Sequence, residues 1–193
     1  MRKIYFALLF LFTFIQFSVY SLAQSYVFKK YPNNHFVESG TLIGKGIHQA
    51  MRAGYRNIYS IELSPLFFEK CKMKFRRCPQ VKLFLGDSGK ILKDVIKDIH
   101  EPITFWLDGH YSGGITAKGD SSTPILQELE AIKNHPIKTH TILIDDARQF
   151  GRYEFDYITL DEIKQKILEI NPKYQFFYED GYVPNDILVA VVK

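Results

Sequence analysis

The stretch FVESGTLIGKGIHQAM, Phe36–Met51, decides the fold. A short apolar run, His35–Glu38, is closed by an acid. A turn carrying Gly40, Gly44 and Gly46 follows at once, and it runs into helical periodicity over Lys45–Ala53. A strand that breaks at glycine and restarts as a helix is the opening half of a βαβ unit.

Working outward, the same grammar repeats. Strands are expected at Asn57–Glu62, Val81–Leu85, Ile103–Asp108 and Thr139–Asp145, and helices at Pro65–Arg76, Gly89–Ile99, Thr123–Asn134 and Leu160–Ile170. Tyr174–Tyr178 and Ile187–Val192 flank a turn bearing Gly181, Pro184 and Asn185, and a turn that short requires antiparallel strands. The chain therefore reads as α/β, a mostly parallel sheet with an antiparallel end. Glu38, Glu62, Asp108 and Asp145 each close a strand. Parallel strands put their carboxyl ends on one edge, where ligands of such sheets bind. For any one of these acids, a helix N-cap is the plain alternative.

At 193 residues, 46% hydrophobic and 24% charged, the chain has room for one domain and the composition of a globular one. Its net charge of +4 falls to +2 without Arg2 and Lys3. That is too little and too dispersed to point to nucleic acid. Arg2 and Lys3 head an uncharged apolar run to Tyr20, followed by Ser21-Leu22-Ala23. Residues 1–23 thus read as a hydrophobic leader, a cleaved signal peptide or an uncleaved membrane anchor, with 24–193 as the domain. Cys71 and Cys78 would stand about 10.5 Å apart on one helix, too far for a disulfide.

The glycine turn after Glu38 lets backbone approach a ligand, but its spacing is not that of the dinucleotide fingerprint, and an acid just before it suits a cationic or zwitterionic ligand. Glu62, 22 residues after Gly40, stands where an acid accepts ribose hydroxyls, and Asp87 with Ser88 closes the third strand beside an adenine. Asp108-Gly109-His110-Tyr111 follows the fourth strand and Asp145-Asp146 the fifth. Asp108, Asp145 and Asp146 make a candidate Mg²⁺ set, with His110 as the better base on pKa. The alternative is that Asp145 or Asp146 caps the next turn or pairs with Arg148, and that His110 orders its loop. Gly113–Asp120 is glycine-rich and reads as a lid or a plain linker. Trp106 reads as core, and His35, His48, His100, His135 and His140 as without role.

FVESGTLIGKGIHQAM, IYSIELS, GDSGKIL, FWLDGHYSGG and ILIDDARQFG together resemble the class I S-adenosylmethionine (SAM)-dependent methyltransferases, over Phe36–Lys193. The resemblance implies a Rossmann-like seven-stranded sheet of order 3-2-1-4-5-7-6, helices on both faces and the last strand antiparallel. It implies that Glu38, Gly40 and Gly44 hold the methionine part of SAM, Glu62 the ribose, and Asp87 and Ser88 the adenine. The acidic cluster is similar to that of the metal-dependent O-methyltransferases, which carries Mg²⁺ to Asp108, Asp145 and Asp146; that family's lysine base is Tyr111 here, leaving His110 and Asp108 as the catalytic pair.

The expected activity is O-methylation of a small-molecule or sugar hydroxyl with divalent metal assistance. A metal-dependent hydrolase built on Asp108, His110, Asp145 and Asp146, or a non-catalytic binding domain of this fold, are the alternatives. Because SAM is a cytosolic compound, a domain tethered through 4–23 and facing the cytoplasm, or a cytoplasmic one behind a misplaced start codon, is expected ahead of a secreted one. The short segment Gln24–His35 leaves the acceptor pocket open or completed by a partner subunit in a homodimer.

Overall fold

The computed structural model describes residues 26–111, 117 and 119–193. The leader expected at 1–23 and most of the glycine-rich Gly113–Asp120 stretch lie outside these residues. In chain order the elements are β1 (His35–Ser39), α1 (Lys45–Ala53), β2 (Asn57–Glu62), α2 (Pro65–Lys74), β3 (Val81–Leu85), α3 (Ser88–Ile96), β4 (Ile103–Leu107), α4 (Ile125–Asn134), β5 (Thr141–Ile144), α5 (Leu160–Ile170), β6 (Tyr174–Glu179) and β7 (Ile187–Val192). They form one seven-stranded sheet of order β3-β2-β1-β4-β5-β7-β6. β1 to β5 pair in parallel, and β7 pairs antiparallel with both β5 and β6.

Strand alternation sorts the core onto two faces. Val37, Phe105, Ile142 and Leu188 point to one side, where they meet Leu92, Leu129, Ile132, Ile163 and Ile167 from α3, α4 and α5. Phe36, Trp106, Leu143 and Val189 point to the other, against Ile47 and Ala50 of α1 and Cys71 of α2. Residues 26–30 are helical and complete this second face: Phe28 is fully buried, its ring 4.9 Å from Phe36 and 5.1 Å from Trp106. This segment therefore seals the back of the sheet and does not cap the site. Trp106 is core, as its apolar strand suggested. Among the described residues no helix is long and apolar enough to cross a membrane.

Local chemistry sets the boundaries. Gly44 (φ 75°) and Gly54 (φ 98°) bracket α1, and the Gly54 N–H caps its last carbonyls. Pro65 starts α2 at the position where a missing N–H costs nothing. α3 begins at Ser88, one residue ahead of expectation, because the Asp87 carboxylate accepts the Gly89 N–H. Thr159 and Glu162 close a reciprocal capping box on α5. α2 stops at Lys74, short of the expected Arg76; Cys71 and Cys78 are both free thiols.

Candidate active site

β1 lies between β2 and β4, so the helices after β1 and β4 depart to opposite faces and the carboxyl edge opens a crevice there. The crevice is a cleft enclosing about 760 Å³, open solvent included, lined by Gly40, Glu62, Asp87, Ser88, Asp108 and His110 among others.

Glu62 ends β2 and is 6% exposed. Its Oε2 accepts the Leu42 N–H at 2.7 Å and its Oε1 the Ser64 N–H at 2.8 Å. Each oxygen keeps a second lone pair, so the carboxylate is fixed in place yet still able to accept from a diol. Leu42 is held at φ 48°, a conformation unfavourable for a branched side chain, and its N–H bond to Glu62 secures the turn. Asp87 lines the cleft while capping α3, and the cap assigned to acids in general is real here without removing Asp87 from the site. Ser88 is buried at the cleft floor, bonded to Glu128.

Glu38 and Gly44, expected at the methionine part of SAM, do not line this cleft. Glu38 is 1% exposed and lies beneath the glycine turn, outside the cleft lining: Ser60 Oγ donates to its Oε1 at 2.6 Å, and a Cβ on Gly46 would overlap its Oε2. Burial, reinforced by Asp108 and Glu62 and opposed by the Ser60 hydrogen bond, pushes its pKa up to about 8. Gly44 is likewise absent from the lining. Its positive φ starts α1, and a side chain there would run into the Phe75 ring, so packing explains this glycine. Gly40 does line the cleft; at φ 81° it abuts the Asp108 carbonyl, where a Cβ would overlap the oxygen.

At the reacting end, His110 stands between two acids. Its Nδ1 is 3.4 Å from Asp108 Oδ1 and its Nε2 is 3.2 Å from Asp146 Oδ2. Phe155 covers the imidazole, ring centroids 4.6 Å apart. Burial pulls the His110 pKa down, but Asp108, Asp146 and Asp145 outweigh it and the net direction is up. Asp146 adopts φ 55°, and its Oδ1 forms an ion pair with Arg148 Nη1 at 2.7 Å. The same Arg148 nitrogen donates to Asp186, which is fully buried. Thus the pairing of Asp146 with Arg148, one of the two alternatives open from sequence, is what the structure holds.

The expected trio Asp108, Asp145 and Asp146 is not gathered as one set. Asp108 and Asp146 converge with His110, and Asp145 and Asp146 converge with Asp186, each group within 4.8 Å. Asp145 is buried. Lys45, in the first turn of α1, faces this cluster: burial lowers its ammonium pKa to about 8 against the opposing pull of Asp145 and Asp108. Tyr111 lines the cleft.

Lys45, Glu128 and Asp186 were missed by sequence. Glu128, on α4, is 1% exposed under the β4 loop, its pKa pushed up to about 7 by burial against Ser88 and Ser39 hydrogen bonds. Lys45 had a signal, since it sits inside the decisive glycine turn. Asp186 had only its place just before β7, the strand that returns antiparallel beside β5.

The sequence matches no family model and no curated protein. Solved structures match it in fold. An O-methyltransferase from Bacillus cereus in complex with SAH is 16% identical over 91% of this chain and 81% of that one, with a TM-score of 0.59. The O-methyltransferase TomG from Streptomyces achromogenes, involved in tomaymycin synthesis and in complex with SAM, is 14% identical over 91% and 80%, with a TM-score of 0.58. Fibrillarin from Aeropyrum pernix, with natively bound S-adenosyl-L-methionine, is 12% identical over 89% and 74%, with a TM-score of 0.58. At these identities the likeness is one of fold. Strand order, antiparallel end and neighbours agree: the chain has the Rossmann-like fold of the class I SAM-dependent methyltransferases.

Proposed function

We propose that the chain is a SAM-dependent methyltransferase acting on a hydroxyl of a small molecule or sugar. The observation that carries this is the order of groups around one cleft: Gly40, Glu62 and Asp87 at successive strand ends on one side, Asp108 and His110 on the other. When bound, SAM supplies an electrophilic methyl group on a sulfonium. Glu62, held by two backbone N–H groups, is placed to accept the ribose hydroxyls, and Asp87 to accept the adenine amino group. Glu38 supports the turn from below. Asp108 and His110 are placed to take the proton of the acceptor hydroxyl; an imidazole whose protonated form is favoured by neighbouring acids is a stronger base than a free one.

No step is assigned to a divalent cation: the donor atoms are close enough, but an ion would have to share Asp146 Oδ1 with the Arg148 guanidinium and Oδ2 with His110.

The experiment is transfer of a tritiated methyl from SAM by the full-length chain to a panel of hydroxylated small molecules and sugars, with O-methylated product identified by mass. Labelled product that disappears in a Glu62→Ala variant supports the proposal; SAM binding without transfer to any acceptor favours a binding domain.

A further inference from the structure

The charged cluster spans the ends of β4 and β5 and the start of β7. Asp186 anchors Arg148 from within the core, and the main chain ties the same two turns together, since the Ala147 N–H donates to the Asp186 carbonyl at 2.7 Å. Arg148 holds one oxygen of Asp146, whose other oxygen faces His110, which in turn faces Asp108. Asp146 is common to both groups of atoms near enough to share an ion. In the group Asp108, His110 and Asp146, the imidazole itself lies between the carboxylates, with both ring nitrogens directed at them. In the group Asp145, Asp146 and Asp186, one guanidinium nitrogen bridges two of the three acids. A guanidinium is always charged and takes carboxylates in a fixed fork.

Resting on the methyltransferase proposal, we infer that this cluster is a resident-cation site: Arg148, clamped by Asp186, fills the place a divalent ion would take among Asp145, Asp146 and Asp186, the His110 ring fills the gap between Asp108 and Asp146, and the transfer is metal-independent. Arg148 and Asp186 are then positioning residues. They hold Asp146 in its left-handed conformation and, through it, hold His110 against Asp108.

The test is titration of Mn²⁺ into the full-length chain, followed by the loss of free-ion electron paramagnetic signal, with Mg²⁺ calorimetry beside it. The wild type is expected to show no saturable binding up to about millimolar ion. Arg148→Ala, which strips Asp146 and Asp186 of their cation, is expected to gain a site at least about tenfold tighter. Arg148→Lys should stay closed to the ion. Should circular dichroism show the alanine variant unfolded, Arg148→Gln takes its place. One Mn²⁺ per wild-type chain, lost in Asp146→Asn, would overturn the inference, as would an Arg148 variant that folds and gains no site. SAM titrations run in parallel with and without EDTA separate the two claims. Absent SAM binding defeats the methyltransferase proposal, whereas SAM binding together with tight Mn²⁺ binding defeats only the resident-cation site.

Discussion

Gly40 and Asp108 touch across the switch point of the sheet, so closely that any side chain at residue 40 would overlap the Asp108 carbonyl. This contact locks the turn after β1 to the turn after β4 and so joins the nucleoside half of the cleft to its reacting half. Gly40→Ala is expected to cost about 1–2 kcal/mol for its positive φ alone, plus the displacement of the Asp108 loop. Gly54→Ala is the control, because Gly54 also has positive φ (98°) but a Cβ there meets nothing within 4 Å. Thermal unfolding should fall for both, while SAM affinity should fall only for Gly40→Ala. Equal affinity losses would show that the Gly40–Asp108 contact has no specific part in SAM binding.

Glu62 offers both its oxygens to backbone donors, so charge and shape can be separated there. Glu62→Gln puts an amide N–H₂ against the N–H of either Leu42 or Ser64 and disturbs the turn. SAM affinity is expected to drop at least about tenfold, or about 1.4 kcal/mol, with a small change in unfolding temperature. Calorimetry on folded variant checks it, and unchanged affinity would take the ribose from Glu62.

Asp108 and His110 lie on the far side of the cleft from Glu62, and their removal should leave the cofactor in place. His110→Gln and Asp108→Asn are expected to bind SAM within about threefold of wild type while methyl transfer falls by about 10²–10⁴. Comparing binding with single-turnover transfer separates the two halves; parallel loss of both would merge them.

At the opposite, amino-terminal edge of the sheet, His140 ties β4 to β5. Its Nδ1 accepts the Ile103 N–H at 3.0 Å, its Nε2 lies 3.0 Å from His135 Nδ1, and His135 Nε2 lies 3.0 Å from the Ile99 carbonyl. Burial, with His135 and Lys138, pushes the His140 pKa down to about 3. A free histidine titrates near about 6.5, so on acidification the unfolded chain takes up the proton first. This contribution to stability is therefore complete above about pH 6.5 and is lost as pH falls toward about 3. Urea unfolding between about pH 7 and pH 4 should show the loss. His140→Gln, which keeps an acceptor and a donor but does not titrate, should flatten it; an unchanged slope would assign it elsewhere.

The fold was legible because its signals are local. Glycine at 44 and 54, proline at 65 and the alternation of Phe36 with Val37 each act over a few residues, and strand order followed from a resemblance carried by the turns. Helix ends slipped where a cap decided them, as at Asp87. Within the site, Gly40, Glu62, Asp87 and Asp108 were legible because strand ends in a parallel sheet must share an edge. Glu38 shared that edge but turned inward, toward Ser60 and Gly46, a direction that strand position alone does not reveal. Asp186 meets Arg148 across 38 residues because β7 returns beside β5, and the His135–His140 pair forms around a turn with no metal-like spacing. Such contacts are set by packing and not by sequence proximity.

We propose that the cleft at the carboxyl edge of β1, β2 and β3 holds SAM. Calorimetric titration of SAM into the full-length chain, with Glu62→Ala as the paired control, tests it most directly. The expected result is one site with a Kd of about micromolar, −8 kcal/mol or so, lost in the control. A folded wild-type chain that takes up no SAM, or a Glu62→Ala variant that binds it as tightly, would contradict the account.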